Sequence, residues 1–461
     1  MRRSRFSWHL LPVIWALAWP TMLEQLMQTA VQYIDTAMVG SLGTHATAAV
    51  GSTTTINWLI GSSVSALGVG FLSYIAQAYG AKEKDRARQA VCQTVLVTIV
   101  CGLLFTALTL GLSSQIPVWM QVDPTIRSLA ASYFFILYLP MLPRTASILF
   151  GTVLRAIGDT KTPMRVGLLV NIVNIIGNFL LIFPTREVLP GFRIPGAGLG
   201  VIGAAVASAV AFTLGGICIT IALWRHPEIS PKKQALRPRW QVLKPCLQVA
   251  LPNMLQRFGT SLGYVAFASM INALGDISTA AHTIANTVES AFYIPGYGMQ
   301  AAAATLAGQS LGAGDRDRMR HLARMLIVIE TSLMILSGGL LFLLAPSMMQ
   351  LFSCDALVIS LGSTVLRMVA VSEPIYGVSI IIEGMMQGVG NTVTPFICNI
   401  IGMWGVRIVG TFICTTLLGY GLVSAWVCMI LHNLLLFVLF LIIYLRNRWN
   451  PLYRQTQKIP Q

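Results

Sequence analysis

Two carboxylates stand in the first long apolar stretch of the chain, Glu24 and Asp35. A helix turns about 100° per residue, so the two side chains point within roughly 20° of one another. A charged side chain in the middle of a bilayer costs about 2.5–3.5 kcal/mol on insertion scales, so this face must meet water or other helices. Asp35 is therefore a candidate coupling-ion or proton site. The alternative is a polar contact that only fixes helix packing.

The same stretch carries further polar residues and a proline. Gln28 and Gln32 lie within about 80° of the acidic face, and with Glu24 they are candidates for a substrate cavity or a secondary coupling site. Pro20 lacks the N–H group that would bond to the preceding turn of the helix. We therefore predict a helix hinge at Pro20.

Three asparagines form a stripe in the fifth apolar run: Asn171, Asn174 and Asn178. Their spacing places them on one helix face. Asparagine amides can donate to anionic groups or offer carbonyl oxygens to a cation. The alternative is hydrogen bonding between helices, worth about 0.6 kcal/mol per bond in membranes.

A second polar line follows the eighth run, with His282, Asn286, Glu289 and Tyr293 on one face. Glu289 could titrate or bind a cationic substrate, and Asn286 and Tyr293 are candidates for the same cavity. We interpret His282 as a structural hydrogen-bonding residue.

The tenth run holds two more glutamates. Glu373 lies near its middle and is a candidate site residue, whereas we interpret Glu383, towards the cytoplasmic end, as solvated. Trp404 or Arg407 of the eleventh run could pair with one of these carboxylates. Glu330, in the ninth run, has no polar stripe around it and is interpreted as structural.

Composition sets the class of the protein. The chain of 461 residues is 55% hydrophobic and 10% charged, whereas soluble proteins are about 25% charged. It is therefore predicted to be a polytopic membrane protein. The net charge of +15 lies in short segments between apolar runs, which is a topology signal and does not indicate nucleic-acid binding. The isolated cysteines predict neither disulfides nor a cofactor.

Twelve apolar runs are long enough to span a bilayer, which takes about 20 residues. They predict an all-α membrane protein of twelve transmembrane helices in two six-helix lobes. Basic residues concentrate at both ends and in alternate loops, which places both termini in the cytoplasm of an inner-membrane protein. The runs are 11–38, 46–76, 90–112, 126–150, 163–184, 198–224, 246–272, 278–308, 322–346, 357–384, 393–416 and 421–445.

The two halves of the chain repeat each other at an offset of 232 residues. Past the fifth run the offset falls to 221, which leaves extra residues near 185–195 of the first half. An even number of helices per repeat gives both halves the same orientation, with a central site between them, as in alternating-access transporters. The predicted organisation is an N-lobe (1–224), a basic cytoplasmic linker (225–244), a C-lobe (245–445) and a cytoplasmic tail (446–461).

Four motifs carry a resemblance to a known family. The first helix ends in DTAMVGSLG at 35–43, and QAYGA at 77–81 recurs as QSLGA at 309–313. LRAIGDTKTP precedes the fifth run at 154–163, and YIPGYG lies in the eighth at 293–298. Over nearly the whole chain the sequence resembles the MATE (multidrug and toxic compound extrusion) transporters, of the MATE and flippase superfamily.

The resemblance implies a V-shaped cavity and antiport of amphipathic compounds, such as organic cations, against H⁺ or Na⁺. It also implies an N-lobe coupling site in which Asp35 is joined by Asn174, Asn178 and Ser208. Relatives of the DinF-like branch carry a second carboxylate where this chain has Asn178. The coupling ion therefore stays open between a proton and a Na⁺ held by Asp35, Asn174 and Asn178.

The acids of the NorM-like branch are replaced here by Thr260 and Tyr376, which favours the DinF-like branch. Tyr376 joins Glu289, Tyr293 and Glu373 as a candidate for the substrate cavity or a second coupling site. We predict a cation-coupled exporter of small amphipathic or cationic molecules, monomeric in the bilayer. The alternative is a flippase for a lipid or lipid-linked saccharide, which would favour an arginine-lined cavity. A membrane enzyme would need a catalytic domain that the short loops do not supply.

Overall fold

Long helices make up most of the structure, a computed structural model that describes residues 10–120, 122–189 and 192–456. The helices of the first half are α1 (Leu11–Gly40), α2 (Thr44–Gly80), α3 (Lys84–Leu112), α4 (Ile116–Trp119), α5 (Arg127–Tyr138), α6 (Met141–Ala156), α7 (Lys161–Leu181) and α8 (Val201–Arg225). Those of the second half are α9 (Trp240–Asn272), α10 (Asp276–Gly312), α11 (Arg316–Phe352), α12 (Ala356–Gly388), α13 (Val393–Ile400), α14 (Val409–Thr411), α15 (Leu422–Leu445) and α16 (Pro451–Thr456). Two π-helical segments, Ile401–Ile408 and Phe412–Leu417, flank α14.

Each of the twelve predicted apolar runs coincides with a helix or with a row of helical segments. Eight helices of the described chain are long and apolar enough to cross a membrane, or nine if α5 and α6, bent by 49°, form one span. The helices α1, α9 and α10 are not among them, and each carries polar residues such as Asp35, Gln256 and Glu289 in its interior. The all-α membrane fold is confirmed, and the count of twelve spans stays a prediction.

The backbone repeats the duplication seen in the sequence. Gly43 and Gly275 have φ angles of 109° and 100°, and Gly158 and Gly390 have φ angles of 97° and 85°. Each pair is separated by the repeat offset and follows a helix end in its own half. Both halves therefore keep the same left-handed turns, which glycine adopts without a steric penalty.

The ends of α2 and α10 pack against each other at glycines. A Cβ on Gly80 would lie 2.0 Å from the backbone oxygen of Gln309, and one on Gly312 would lie 1.9 Å from that of Gln77. The two contacts are equivalent under the repeat, as a local two-fold axis requires. Any side chain at either glycine would overlap the backbone.

The described chain forms two compact units. The first comprises the chain up to Gln25, Leu72–Glu83 and the chain from Pro245 on, and the second comprises Leu26–Phe71 and Lys84–Lys244. Helices α1 and α2 thus contribute to both. The core of the first unit is built mainly from α10, α11, α12 and α15, whereas in the second α8 packs against α5, α6 and α7.

The predicted linker between the halves lies along α3 in the second unit. Lys84 Nζ donates to Glu228 Oε1 at 2.7 Å. The buried amide of Gln93 donates to the backbone oxygen of Arg237 and accepts from the N–H of Arg239, both at 2.9 Å. The linker is therefore fixed by its backbone and not only by its charges.

The extra residues of the first half form a β-hairpin, which adds to the predicted helices. Strand β1 (Pro184–Leu189) pairs in antiparallel fashion with β2 (Phe192–Ala197). The hairpin connects α7 to α8, the two helices that carry the asparagine stripe and Ser208.

Candidate functional site

Asp35 of α1 meets side chains of α7 and α8 in the second unit. Asn178 Nδ2 donates to Asp35 Oδ1 at 2.5 Å. Asn174, one turn earlier on α7, lies between Asp35 and Ser208 of α8. Asp35 is half-buried, and the other three residues are buried. The structure thus brings together the four residues that the resemblance to the family had implied.

Small residues let α7 and α8 approach closely at this site. A Cβ on Gly177 would lie 3.0 Å from that of Ala207, and one on Gly203 would lie 2.4 Å from the backbone oxygen of Leu181. Gly177 and Ala207 immediately precede Asn178 and Ser208 in the chain. Close approach of the two backbones is what allows short Asn and Ser side chains to bridge the helices.

One orientation of the Asn174 amide satisfies both of its neighbours. With its nitrogen toward the carboxylate, Asn174 donates to Asp35 Oδ1 at 2.8 Å and accepts from the Ser208 hydroxyl at 2.9 Å. The opposite orientation would set the Asn174 and Asp35 oxygens face to face, which only a hydrogen on Asp35 would make favourable.

One tyrosine of this site was missed from the sequence, and one asparagine stays outside it. Tyr133 of α5 is buried and close enough to interact electrostatically with Asp35. Tyr133 and Tyr138 of this helix are five residues apart, a spacing that does not form a stripe on one helix face, so the sequence carries no signal for Tyr133. Asn171 Nδ2 is buried without a hydrogen-bond partner in the described part of the chain, so the predicted stripe of three asparagines is divided.

The other polar residues predicted on the same face of α1 do not lie beside Asp35. Gln28 and Gln32 are exposed, and Glu24 is half-buried and belongs to the first unit. The helix is continuous through Pro20. The hydroxyl of Thr21 donates to the backbone oxygen of Gly298 on α10 at 2.8 Å, so the segment beside the proline is anchored within the first unit.

A second group of carboxylates lies in the first unit, on three neighbouring helices. Glu289 of α10, Glu330 of α11 and Glu373 of α12 are 6%, 0% and 2% exposed. Glu373 interacts electrostatically with the other two. Both oxygens of Glu330 and Oε2 of Glu373 lack hydrogen-bond partners among the described residues. Spacing alone carries no functional signal for Glu330, because its polar neighbours lie on other helices.

Tyrosines adjoin this group. The Tyr297 and Tyr376 hydroxyls are 3.0 Å apart, and the Tyr293 ring lies edge-on to both, with centroids 5.8 Å and 6.0 Å away. The predicted candidates Tyr293 and Tyr376 are therefore neighbours. Asn286, predicted on the same line as Glu289, is exposed.

Arg407 is the cation of this region. Its guanidinium lies over the rings of Phe267 and Tyr264, 4.1 Å and 4.9 Å from their centroids, and is close enough to Glu289 for charge interaction. Arg407 is 4% exposed and lies in a π-helical segment, a feature frequent at functional sites. Trp404 does not pair with a carboxylate, because its Nε1 donates to the backbone oxygen of Gly259 at 3.0 Å.

Glu383 has more protein donors than the sequence suggested. Its Oε1 accepts from Gln256 Nε2 at 2.8 Å and from Gln387 Nε2 at 3.1 Å, and its Oε2 accepts from Asn399 Nδ2 at 3.4 Å. The interpretation of Glu383 as simply solvated was therefore wrong. Its donors are spread over α9, α12 and α13 and could not be paired from spacing alone.

Comparison with known proteins agrees with the duplication. The family model MatE matches residues 20–180 and again residues 252–413. The probable multidrug resistance protein NorM of Thermotoga maritima is 27% identical over 94% of this chain and 92% of its own length. The human multidrug and toxin extrusion protein 1 is 26% identical over 99% of this chain and 78% of its own length.

The fold has the same relatives. A crystal structure of MATE in the bent conformation superposes with a TM-score of 0.87 at 22% identity, over 97% of each chain. Since the two matched segments also make up more than half of the sequence, this chain belongs to the MatE family of membrane transporters.

Proposed function

We propose that this protein is a proton-driven exporter of small amphipathic molecules, cations among them, and that Asp35 takes up the coupling proton. The observation that carries the proposal is the pair of amides that donate to Asp35, from Asn178 and Asn174, because an amide turned over would accept from the same group once it is protonated. The names of its relatives, multidrug resistance and multidrug extrusion proteins, support the substrate class. The distribution of basic residues supports an inner-membrane location with both termini in the cytoplasm.

The groups around Asp35 favour a proton over a sodium ion. A hard cation needs several oxygen ligands, but Asn178 turns its nitrogen toward the carboxylate. Sodium would require that amide to turn over, and Asp35 alone would supply the negative charge. One proton neutralises the same charge without any further ligand.

The proposed cycle uses the amides to hold either state. While Asp35 is ionised, N–H groups of Asn178 and Asn174 donate to it. Once Asp35 is protonated, its O–H donates to the turned Asn174 amide, which in turn donates to Ser208. Neutralisation removes the desolvation cost of a buried charge, so the site can then exclude water. We place the accompanying bend at Pro20, near the point where α1 passes from the first unit to the second.

The test is efflux of a fluorescent cation such as ethidium from vesicles with an imposed pH gradient or an imposed sodium gradient. Wild-type protein is compared with Asp35→Asn. We expect transport under the pH gradient only, and its loss in Asp35→Asn. Asp123→Asn, the same chemical change at an exposed loop residue, is the matched control and should transport normally.

Three results would contradict the proposal. Transport driven by sodium alone would assign the coupling ion to Na⁺. Normal proton-driven transport by Asp35→Asn would move coupling away from this site. Failure to move any cation under either gradient would revive the flippase alternative.

The arginines inside the apolar runs bear on that alternative. Arg144, Arg367 and Arg407 lie over separate aromatic rings, and Arg257 of α9 has a buried Nε without a partner among the described residues.

A further inference from the structure

We propose that Glu330 of α11 is a second proton-binding site, and that loss of its proton displaces α10 at the Pro295–Gly296 step. The residue lies in the first unit, whereas Asp35 lies in the second. Its proton binding is therefore separable from the function proposed for Asp35.

Two glycines form a notch that holds the Glu330 side chain. A Cβ on Gly296 would lie 2.7 Å from Glu330 Oε1, and one on Gly377 of α12 would lie 3.2 Å from its Cγ and 3.4 Å from Oε1. Met334, one turn later on α11, fills the rest of the gap, 2.9 Å and 2.6 Å from the same two positions. The notch therefore fits a carboxyl group closely, and Glu330 is 0% exposed.

No donor or cation in the described chain compensates this carboxyl group. Both of its oxygens are buried and unpartnered. The charged groups of the same buried region are Glu289 from α10 and Glu373 from α12, and Arg407 acts on Glu289 and not on Glu330. The other charged groups of these two helices have different surroundings: Asp276 lies in the first turn of α10, Arg367 lies over the Phe342 ring, and Glu383 accepts from amides. An ionised carboxylate without a partner is very costly in a buried site, so we infer that Glu330 is a neutral acid in this notch.

The notch that holds Glu330 lies beside a position of α10 where one backbone hydrogen bond is missing. Pro295 lies inside the helix and lacks the N–H group that would bond one turn back. An ionised Glu330 would need water or a donor. Movement of α10 at Gly296 would admit one, because this glycine lies nearer to Glu330 Oε1 than Gly377 of α12 does. Gly298, on the same turn, accepts from Thr21 beside Pro20. Movement of α10 on proton release from Glu330 would therefore also move the segment of α1 beside Pro20.

Infrared difference spectroscopy on purified full-length protein tests the proposal without transport. The pH is raised from about 5 to about 10, the range in which buried glutamic acids have been found to titrate. Among the protonated-carboxyl bands that disappear in wild type, we expect one to be absent from Asp35→Asn and a different one to be absent from Glu330→Gln. Glu83→Gln, at an exposed glutamate, is the control and should keep both.

Gly296→Ala provides an independent reading. Its methyl group would press on Glu330 Oε1, so the Glu330 band should shift in frequency or in titration midpoint while the Asp35 band stays. A wild-type difference spectrum in Glu330→Gln would overturn the proposal, because Glu330 would then keep its proton throughout. Should Glu330→Gln not fold, the apolar Glu330→Met serves the same comparison.

Discussion

Asp35 and Glu330 are both acidic residues within long helices, and their surroundings are opposite. Asp35 is half-buried and accepts from Asn178, with a second amide beside it. Glu330 is fully buried and has no donor in the described chain. Amides that can turn stabilise a carboxyl group in either protonation state, whereas a dry notch of glycines fits only the neutral one. The first environment suits repeated exchange of a proton, and the second suits a switch.

The two halves of the chain have the same backbone turns but different charged residues. The position equivalent to Asp35 in the second half is Phe267, and the guanidinium of Arg407 lies 4.1 Å from the centre of its ring. The turn glycines, in contrast, keep their φ angles in both halves. Duplication has therefore preserved the residues that set helix ends, while the polar interior has diverged.

The largest effect is expected from Arg407→Met, which removes the buried cation that interacts with Glu289. Removing one of two interacting buried charges costs up to about 3–5 kcal/mol, because the other charge is left uncompensated. Thermal unfolding in detergent should show a large fall in Tm. Transport should fall as well, because Glu289 of α10 loses its compensating charge.

A double variant separates charge from packing at this position. If Arg407 serves Glu289, then Glu289→Gln should recover part of the Tm lost in Arg407→Met. Equal losses in the presence and absence of Glu289 would show that Arg407 matters through its stacking on Phe267 and Tyr264. The charge interaction between Arg407 and Glu289 would then contribute nothing to stability, and the first unit would not differ from the second in this respect.

Substitution of the two acids by apolar residues should have opposite effects on stability. Glu330→Met replaces an unsatisfied group in a buried notch and should raise Tm, because an unpaired buried polar group costs about 1–3 kcal/mol. Asp35→Leu leaves the Asn178 amide without its acceptor and should lower Tm by a similar amount. The measurement is Tm of both variants at neutral pH. A change of the same sign in both would mean that their surroundings are energetically alike.

The helices and the site around Asp35 were largely predictable from sequence. Apolar length gave the helices, the periodicity of Asn174 and Asn178 put them on one face, and the family resemblance connected them to Asp35 and Ser208. Turn glycines such as Gly43 and Gly275 helped to reveal the repeat in the sequence, because each half needs glycine where its backbone has a positive φ angle.

The interior of the first unit was less predictable, for a physical reason. Glu330 interacts electrostatically with Glu373 of the neighbouring helix, and Glu383 accepts from amides on three helices. Contacts between helices depend on their rotation and depth, which the period of a single helix does not contain. Tyr133 was missed similarly, because it lies near Asp35 from a different helix and is not part of a polar stripe on its own.

The smallest expected effects lie at Glu383, where three amides differ in distance. Gln256→Leu removes a donor at 2.8 Å, and Asn399→Leu removes one at 3.4 Å. Hydrogen bonds between membrane helices average about 0.6 kcal/mol, so the first variant should lower Tm slightly and the second by less. Gln387→Leu, at 3.1 Å, should fall between them. This order would place Glu383 with Asp35, as a carboxylate stabilised by amides, although it lies in the unit of Glu330. A reversed order would show that packing of the amides, rather than donation to the carboxylate, sets the stability there.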